Sequence, residues 1–173
     1  MTPYYMRSII YYGGFLDRLA ALTEHGIDIP ENPVKDIHMT LEYFGSRNRD
    51  LSNIPIDDLG FEFFVKVDGI GQYYNDGILQ NIALRVDEKS LKENKIPDGR
   101  TVFDLFKGET PHITLAVRNG GKAVNSSNCV FEDIEPFVLP LTLDVFGQGK
   151  KRYMGSEMHL ADDDWWSEGF WGL

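Results

Sequence analysis

Apolar and polar positions alternate with a period of two in two short segments, from about Ile37 to Phe44 and over 111–118. Successive side chains of a strand point to opposite faces. His38 and Thr40 would therefore share one face, with Met39 and Leu41 on the core side. His112 and Thr114, with Ile113 and Leu115 behind them, repeat the arrangement. A strand that presents an imidazole and a hydroxyl on its wet face, twice in one chain, has the character of a duplicated active-site half.

The remaining pattern predicts an α+β fold. Residues 4–12 are β-branched and aromatic and predict a strand ending at Gly13-Gly14. Residues 15–25 carry Phe15, Leu16, Leu19, Ala20 and Leu22 at helical spacing, with Gly26 as the stop. Phe61–Val67 and Ile78–Val86 read as paired strands around the turn-prone Tyr74-Asn75-Asp76-Gly77. A helix is expected within 88–107, broken near Pro97-Asp98-Gly99, with Val102–Phe106 as its second piece. After a loop from Asn119 to Asn128, strands near 136–147 and 152–160 would form a further hairpin, and Asp162 to Trp166 a solvated acidic turn with an aromatic anchor. Val67-Asp68-Gly69-Ile70-Gly71-Gln72 parallels Leu143-Asp144-Val145-Phe146-Gly147-Gln148 at nearly the separation of the two histidines. The expectation is one domain over 1–173, built of two lobes with intertwined strands, each offering a motif strand to a shared cleft.

Composition narrows the partners. The net charge of −10 argues against tight binding to long DNA or RNA, which depends on many basic contacts to phosphates. A small anionic ligand held by local donors stays compatible. The lone Cys129 excludes an internal disulfide framework and favours a reducing compartment, and a structural role for it outweighs a nucleophilic one. No run reaches the roughly 18 apolar residues of a membrane span, and no basic-then-apolar leader opens the sequence. The expected location is cytoplasmic, in the host cytoplasm if the gene is viral.

General acid–base chemistry needs a base for an attacking oxygen, an acid for a departing one, and donors for the charge that develops between them. Two imidazoles, one neutral and one protonated, could carry that proton traffic without a metal. Thr40 and Thr114 could each donate a hydroxyl to that charge. Which histidine is the base is open at this point.

His38-Met39-Thr40-Leu41 and His112-Ile113-Thr114-Leu115 together resemble the paired His-x-Thr/Ser-hydrophobic motifs of the 2H phosphoesterase superfamily. That resemblance implies a pseudo-two-fold bilobal fold, with two antiparallel sheets flanking a central cleft and helices outside. It also implies a metal-independent phosphodiesterase with His38, Thr40, His112 and Thr114 as catalytic residues and no cofactor. The family includes RNA 2′,3′-cyclic phosphodiesterases and phage enzymes that degrade cyclic oligonucleotide signals. The arginine-rich N-terminal strand usual in the bacterial RNA-processing branch is missing here, and the stretch after the second motif is closer to the viral side. The expected substrate is a cyclic di- or oligonucleotide. An RNA 2′,3′-cyclic phosphate end and a non-catalytic cyclic-nucleotide-binding module are the alternatives.

Tyr11 and Tyr12 are candidates to stack on a nucleobase, although strand aromatics are more often core. Glu42 falls on the His38 face by alternation, where it could orient a ribose or a base amine. Arg118 falls on the His112 face, within range of a distal phosphate or simply at the surface. Lys150-Lys151-Arg152 reads as a solvated turn. Gly69-x-Gly71 lacks the third glycine and the helix start of a dinucleotide fingerprint. His159 with Asp162 to Asp164 reads as a solvated run rather than a metal site.

Overall fold

Both alternating segments form strands where the pattern predicts them. In the computed structural model, which describes residues 9–45, 50–147 and 151–153, the motif strands are β2 (His38–Tyr43) and β5 (His112–Val117). The other strands are β1 (Tyr11–Phe15), β3 (Glu62–Asn75), β4 (Ile78–Val86), β6 (Val130–Gly147) and β7 (Lys151–Tyr153). The helices are short: α1 (Ala20–Thr23), α2 (Glu88–Lys92) and α3 (Val102–Leu105), with 3-10 turns at Ile56–Asp58 and Ala123–Asn128. No helix among the described residues is long and apolar enough to cross a membrane.

The strands join in one antiparallel sheet, ordered β2-β1-β6-β3-β4-β5, with β7 on β6. Where two sheets are expected, one hydrogen-bonded path runs from motif strand to motif strand. The reason is the length of β3 and β6, which pair from Glu62↔Thr142 to Gln72↔Val130 and so run through both halves. Irregularity at Val67/Gly69 bends the ribbon there. Although β2 and β5 stand at opposite ends of the strand order, they touch. The curl of the sheet brings its ends together.

The two repeated blocks occupy comparable places. Val67–Gln72 lies in β3 beside β4, which pairs with β5; Leu143–Gly147 lies in β6 beside β1, which pairs with β2. The runs that follow them do not correspond. β4 lies between its block and a motif strand, whereas β7 takes the edge of β6 remote from β1.

Local physics explains where the elements depart from expectation. Gly13 and Gly14 do not end a strand; they lie inside β1. A β-carbon on Gly13 would collide with the Met39 carbonyl oxygen, and one on Gly14 would sit 2.5 Å from the Phe63 ring. The glycines thus let β2 and the core close onto β1. The helix expected over 15–25 shrinks to α1 because Phe15 is taken into β1 opposite His38. The helix ends at Thr23, and the turn after it closes at Gly26 with a left-handed φ of 79°. The 88–107 helix is split into α2 and α3 by a turn in which Lys95 and Thr101 bridge, and a Thr101–Asp104 capping box restarts the second piece. β6 begins six residues before the expected strand. The expected strand 4–12 lies mostly outside the described residues, as do most of 152–160 and all of the acidic tail.

The N-terminal half of β3 would expose a free edge, and α2 covers it. Asn94 donates through Nδ2 to the Phe64 carbonyl (2.6 Å) and accepts from the Phe64 N–H (3.1 Å), while Ser90 Oγ accepts from Lys66 N–H (3.0 Å). Beneath the sheet, Met39, Leu41, Ile113 and Leu115 join Leu84, Val65 and Leu139 in one buried apolar cluster. Its burial clamps both motif strands by their apolar faces.

Gly13→Ala should lower stability by about 1–3 kcal/mol, the usual range for overpacking, read from the urea midpoint. An unchanged midpoint would mean that β2 yields freely.

Candidate functional site

Each motif strand carries a one-residue bulge at the leucine that follows its threonine. Tyr12 pairs with Glu42 and Gly13 with Thr40, so Leu41 is skipped. Ile82 pairs with Ala116 and Ala83 with Thr114, so Leu115 is skipped. A bulged residue leaves the ladder, and both carbonyls are used across the molecule. Lys107 N–H, in the lead-in to β5, donates to Leu41 O at 2.8 Å; Val34 N–H, in the lead-in to β2, donates to Leu115 O at 2.8 Å. These reciprocal bonds join the approach to each motif strand to the other strand.

The two imidazoles are held alike. His38 Nδ1 lies 2.8 Å from the Asp36 carbonyl oxygen, and His112 Nδ1 lies 2.8 Å from the Thr110 carbonyl oxygen. A carbonyl only accepts, so Nδ1 carries the hydrogen in both rings and Nε2 is without one when the ring is neutral. Around His38, Nε2 lies 3.0 Å from Thr40 Oγ1, which donates to it when the ring is neutral. Nε2 of His112 has no hydrogen-bond partner among the described residues.

Burial holds His38 below the usual histidine value; the Asp36 carbonyl and charge oppose this, and charge on His112 adds to the lowering. That coupling shows that the two imidazoles feel each other. His38 also sits against aromatic rings, with Tyr11 stacked at 4.5 Å between centroids and Phe15 at 5.3 Å. Tyr11 stacks in turn on Phe146 at 4.9 Å.

The threonines differ as well. Thr114 Oγ1 lies 2.8 Å from Oγ of Ser126, which is fully buried in the 3-10 turn. Asn81 Nδ2 donates to Ser126 Oγ and to the Lys122 carbonyl, both at 3.0 Å. In the free protein Thr114 donates to Ser126; both are hydroxyls, so the bond can reverse, with Ser126 donating and the Thr114 hydrogen turned to a ligand.

His38, Thr40, His112 and Thr114 are thus positioned on the faces that alternation predicts. Of the other sequence candidates, Tyr11 lies beside His38, its hydroxyl pushed above the tyrosine norm by burial. Tyr12 is fully buried, with its hydroxyl 3.3 Å from the Leu105 carbonyl, and belongs to the core. The bulge at Leu41 turns Glu42 off the His38 face and sets it opposite Tyr12. Burial raises the Glu42 pKa there, with Lys107 and the Tyr12 hydroxyl opposing. The bulge at Leu115 likewise takes Arg118 off the His112 face, and its guanidinium donates to the Glu31 carbonyl at 2.5 Å.

Arg152 is not in a solvated turn. It bonds the fully buried Asp144 (2.6 and 3.0 Å) and Asp17 (2.5 Å), and lies over the Phe15 ring. Lys150, His159 and Asp162 to Asp164 lie outside the described residues. Burial pushes the Cys129 thiol up to about 11, in keeping with a structural role. Among the described residues no three His, Cys, Asp or Glu side chains converge as metal ligands.

Three groups escaped the sequence reading. The Asp36 and Thr110 carbonyls leave no side-chain signature. Ser126 and Asn81 are polar residues in stretches read as loop and strand. Tyr43 is exposed on the His38 face because the bulge puts it opposite Tyr11.

Removing the neighbouring charge with His112→Gln should raise the His38 titration midpoint, followed by NMR of the imidazole protons; a fall would contradict the coupling. Folding should show the matching sign. His38 titrates lower in the folded chain than the unfolded value near 6.5, so the unfolded state binds the proton more readily. Its contribution is present above about 6.5 and is lost as pH falls through the lower folded value. His38→Gln should remove that part of the acid slope in urea titrations. No protein-family model and no curated protein matches the chain. Among solved structures it is similar to TT0787 of Thermus thermophilus, with 19% identity and a TM-score of 0.41 over 83% of this chain and 91% of that one. A likeness this distant bears on no residue of the site.

Proposed function

We propose that this chain is a metal-independent phosphodiesterase of the 2H type that hydrolyses a cyclic phosphodiester, with a cyclic di- or oligonucleotide as the favoured substrate. The observation that carries the reading is the matched anchoring of the two imidazoles, each with Nδ1 committed to a carbonyl two residues upstream and Nε2 left to work. A histidine buried for packing alone has no need of a second copy held the same way. On this reading the sheet is two similar halves, β2-β1-β6 and β5-β4-β3, that meet at a cleft between the motif strands. The twin bulges and reciprocal backbone bonds support that view.

The chemistry follows from the asymmetry. His38, held neutral by burial, is the base: its Nε2 takes the proton of the attacking oxygen as the new P–O bond forms. His112 is the acid and gives its Nε2 proton to the departing oxygen as the old P–O bond breaks. Thr40, which meets His38 Nε2 in the free protein, turns its hydroxyl to a phosphoryl oxygen when substrate enters. Thr114 donates to the phosphoryl group from its Ser126 support. Proton exchange with water resets both rings.

The test is hydrolysis of a panel of cyclic dinucleotides, cyclic oligonucleotides and 2′,3′-cyclic phosphate ends, with products resolved by chromatography. Turnover should survive excess chelator, and His38→Ala and His112→Ala should each lower kcat by about 10²–10⁴. Loss of activity on chelation, or full activity in either variant, would overturn the proposal. Ligand depleted but recovered intact would instead mark a binding module.

A further inference from the structure

We propose that Arg85 and Phe131 form a second subsite on the His112 face, one that receives a further phosphodiester and an adjoining nucleobase of the same ligand. This rests on the reading of His38 and His112 as the cleavage pair and adds to it that the substrate carries at least two phosphates.

The register sets the location. Residues opposite each other in antiparallel strands share a face. His112, Arg85, Gly69 and Asp133 form one row across β5, β4, β3 and β6, and Thr114, Ala83, Gly71 and Phe131 form the next. The middle of this strip is small, and larger side chains lie across it. A β-carbon on Gly69 would be 2.9 Å from the Arg85 guanidinium carbon, and one on Gly71 would be 2.7 Å from the Phe131 ring. The guanidinium carbon is 5.9 Å from the centroid of that ring. The Gly69-x-Gly71 pair is thus the floor under a cation and an aromatic plane, the two elements that read a phosphate and a base.

Arg85 is tethered on one side only. Its Nε donates to Asp68 Oδ1 at 2.8 Å and its Nη2 to the Asp68 carbonyl at 3.1 Å, which fixes the direction of the fork. Its other partner, Asp133 at 2.6 Å, has a side chain 89% exposed. Nη1 has no hydrogen-bond partner among the described residues. A solvated carboxylate in such a pair contributes little and is replaced at little cost. A phosphodiester that displaced Asp133 would meet two donors set for it.

Distance then separates this group from the reacting phosphate. The guanidinium lies over β3, two strand spacings or about 10 Å from β5. An Nε2 that transfers a proton must lie within about 3 Å of the reacting oxygen, so the anion that Arg85 meets is a different one. Among the described residues the His38 side offers no equivalent, since Phe15 fills the row beside His38 and Arg152 is spent on Asp144 and Asp17.

The test measures binding by calorimetry with two ligands, a cleavage-resistant phosphorothioate cyclic dinucleotide and a 2′,3′-cyclic mononucleotide with a single phosphate. Arg85→Gln should lower the dinucleotide-to-mononucleotide affinity ratio at least tenfold. Asp133→Asn, which removes the competing carboxylate from an exposed position, should raise that ratio at least threefold. If Arg85 only braces the strands, Asp133→Asn will leave the ratio unchanged or lower it, and the proposal falls. It also falls if Arg85→Gln weakens both ligands equally or if neither ligand binds. Turnover is scored separately: cleavage with an unmoved ratio removes the subsite and keeps the phosphodiesterase, whereas a shifted ratio without cleavage does the reverse.

Discussion

The arrangement of the site depends on two carbonyl groups, those of Leu41 and Leu115. A regular strand would spend them on its neighbour in the sheet. The bulges free them, and the lead-in to each opposite motif strand takes them up. The sheet alone would not define the distance between its first and last strands, since four twisted strands lie between β2 and β5 in the order. The exchanged bonds define it directly, beside the residues that matter. The leucine of each motif is therefore more than a core residue. It closes the ring of strands while its side chain stays in the apolar cluster.

The same bulges explain how far the site could be read from the sequence. Period-two alternation correctly sides His38, Thr40, His112 and Thr114, because all four precede the bulge in their strands. Beyond it, alternation fails, and Glu42 and Arg118 land on the opposite face. A bulge at a non-glycine residue leaves no mark in composition, so neither shift was legible. The fold was legible where apolar runs were long and bounded by turn residues, as in β4 and the turn at Asp76-Gly77. It was misread where glycine served close approach rather than turning. Gly13 and Gly14 look like a strand end and are the place where β1 admits β2 and the Phe63 ring. The start of the long β6 escapes the pattern because its first third, Val130 to Glu135, carries Glu132, Asp133 and Glu135 and breaks the period of two.

The two motif strands are alike in backbone and unlike in surroundings. Two identical imidazoles a short way apart would share one proton without preference. Here one ring is packed against Tyr11 and Phe15 and depressed by burial, while the other, paired across the ladder with Arg85, keeps its Nε2 open. Aromatic packing on one side and polar support on the other give the two rings different surroundings without altering either motif. The hydroxyls follow the same division. Thr40 rests on the imidazole it serves, and Thr114 rests on Ser126, which Asn81 orients in turn. Neighbouring residues alone, with the motif residues unchanged, are thus enough to give two histidines held by the same backbone contact different environments.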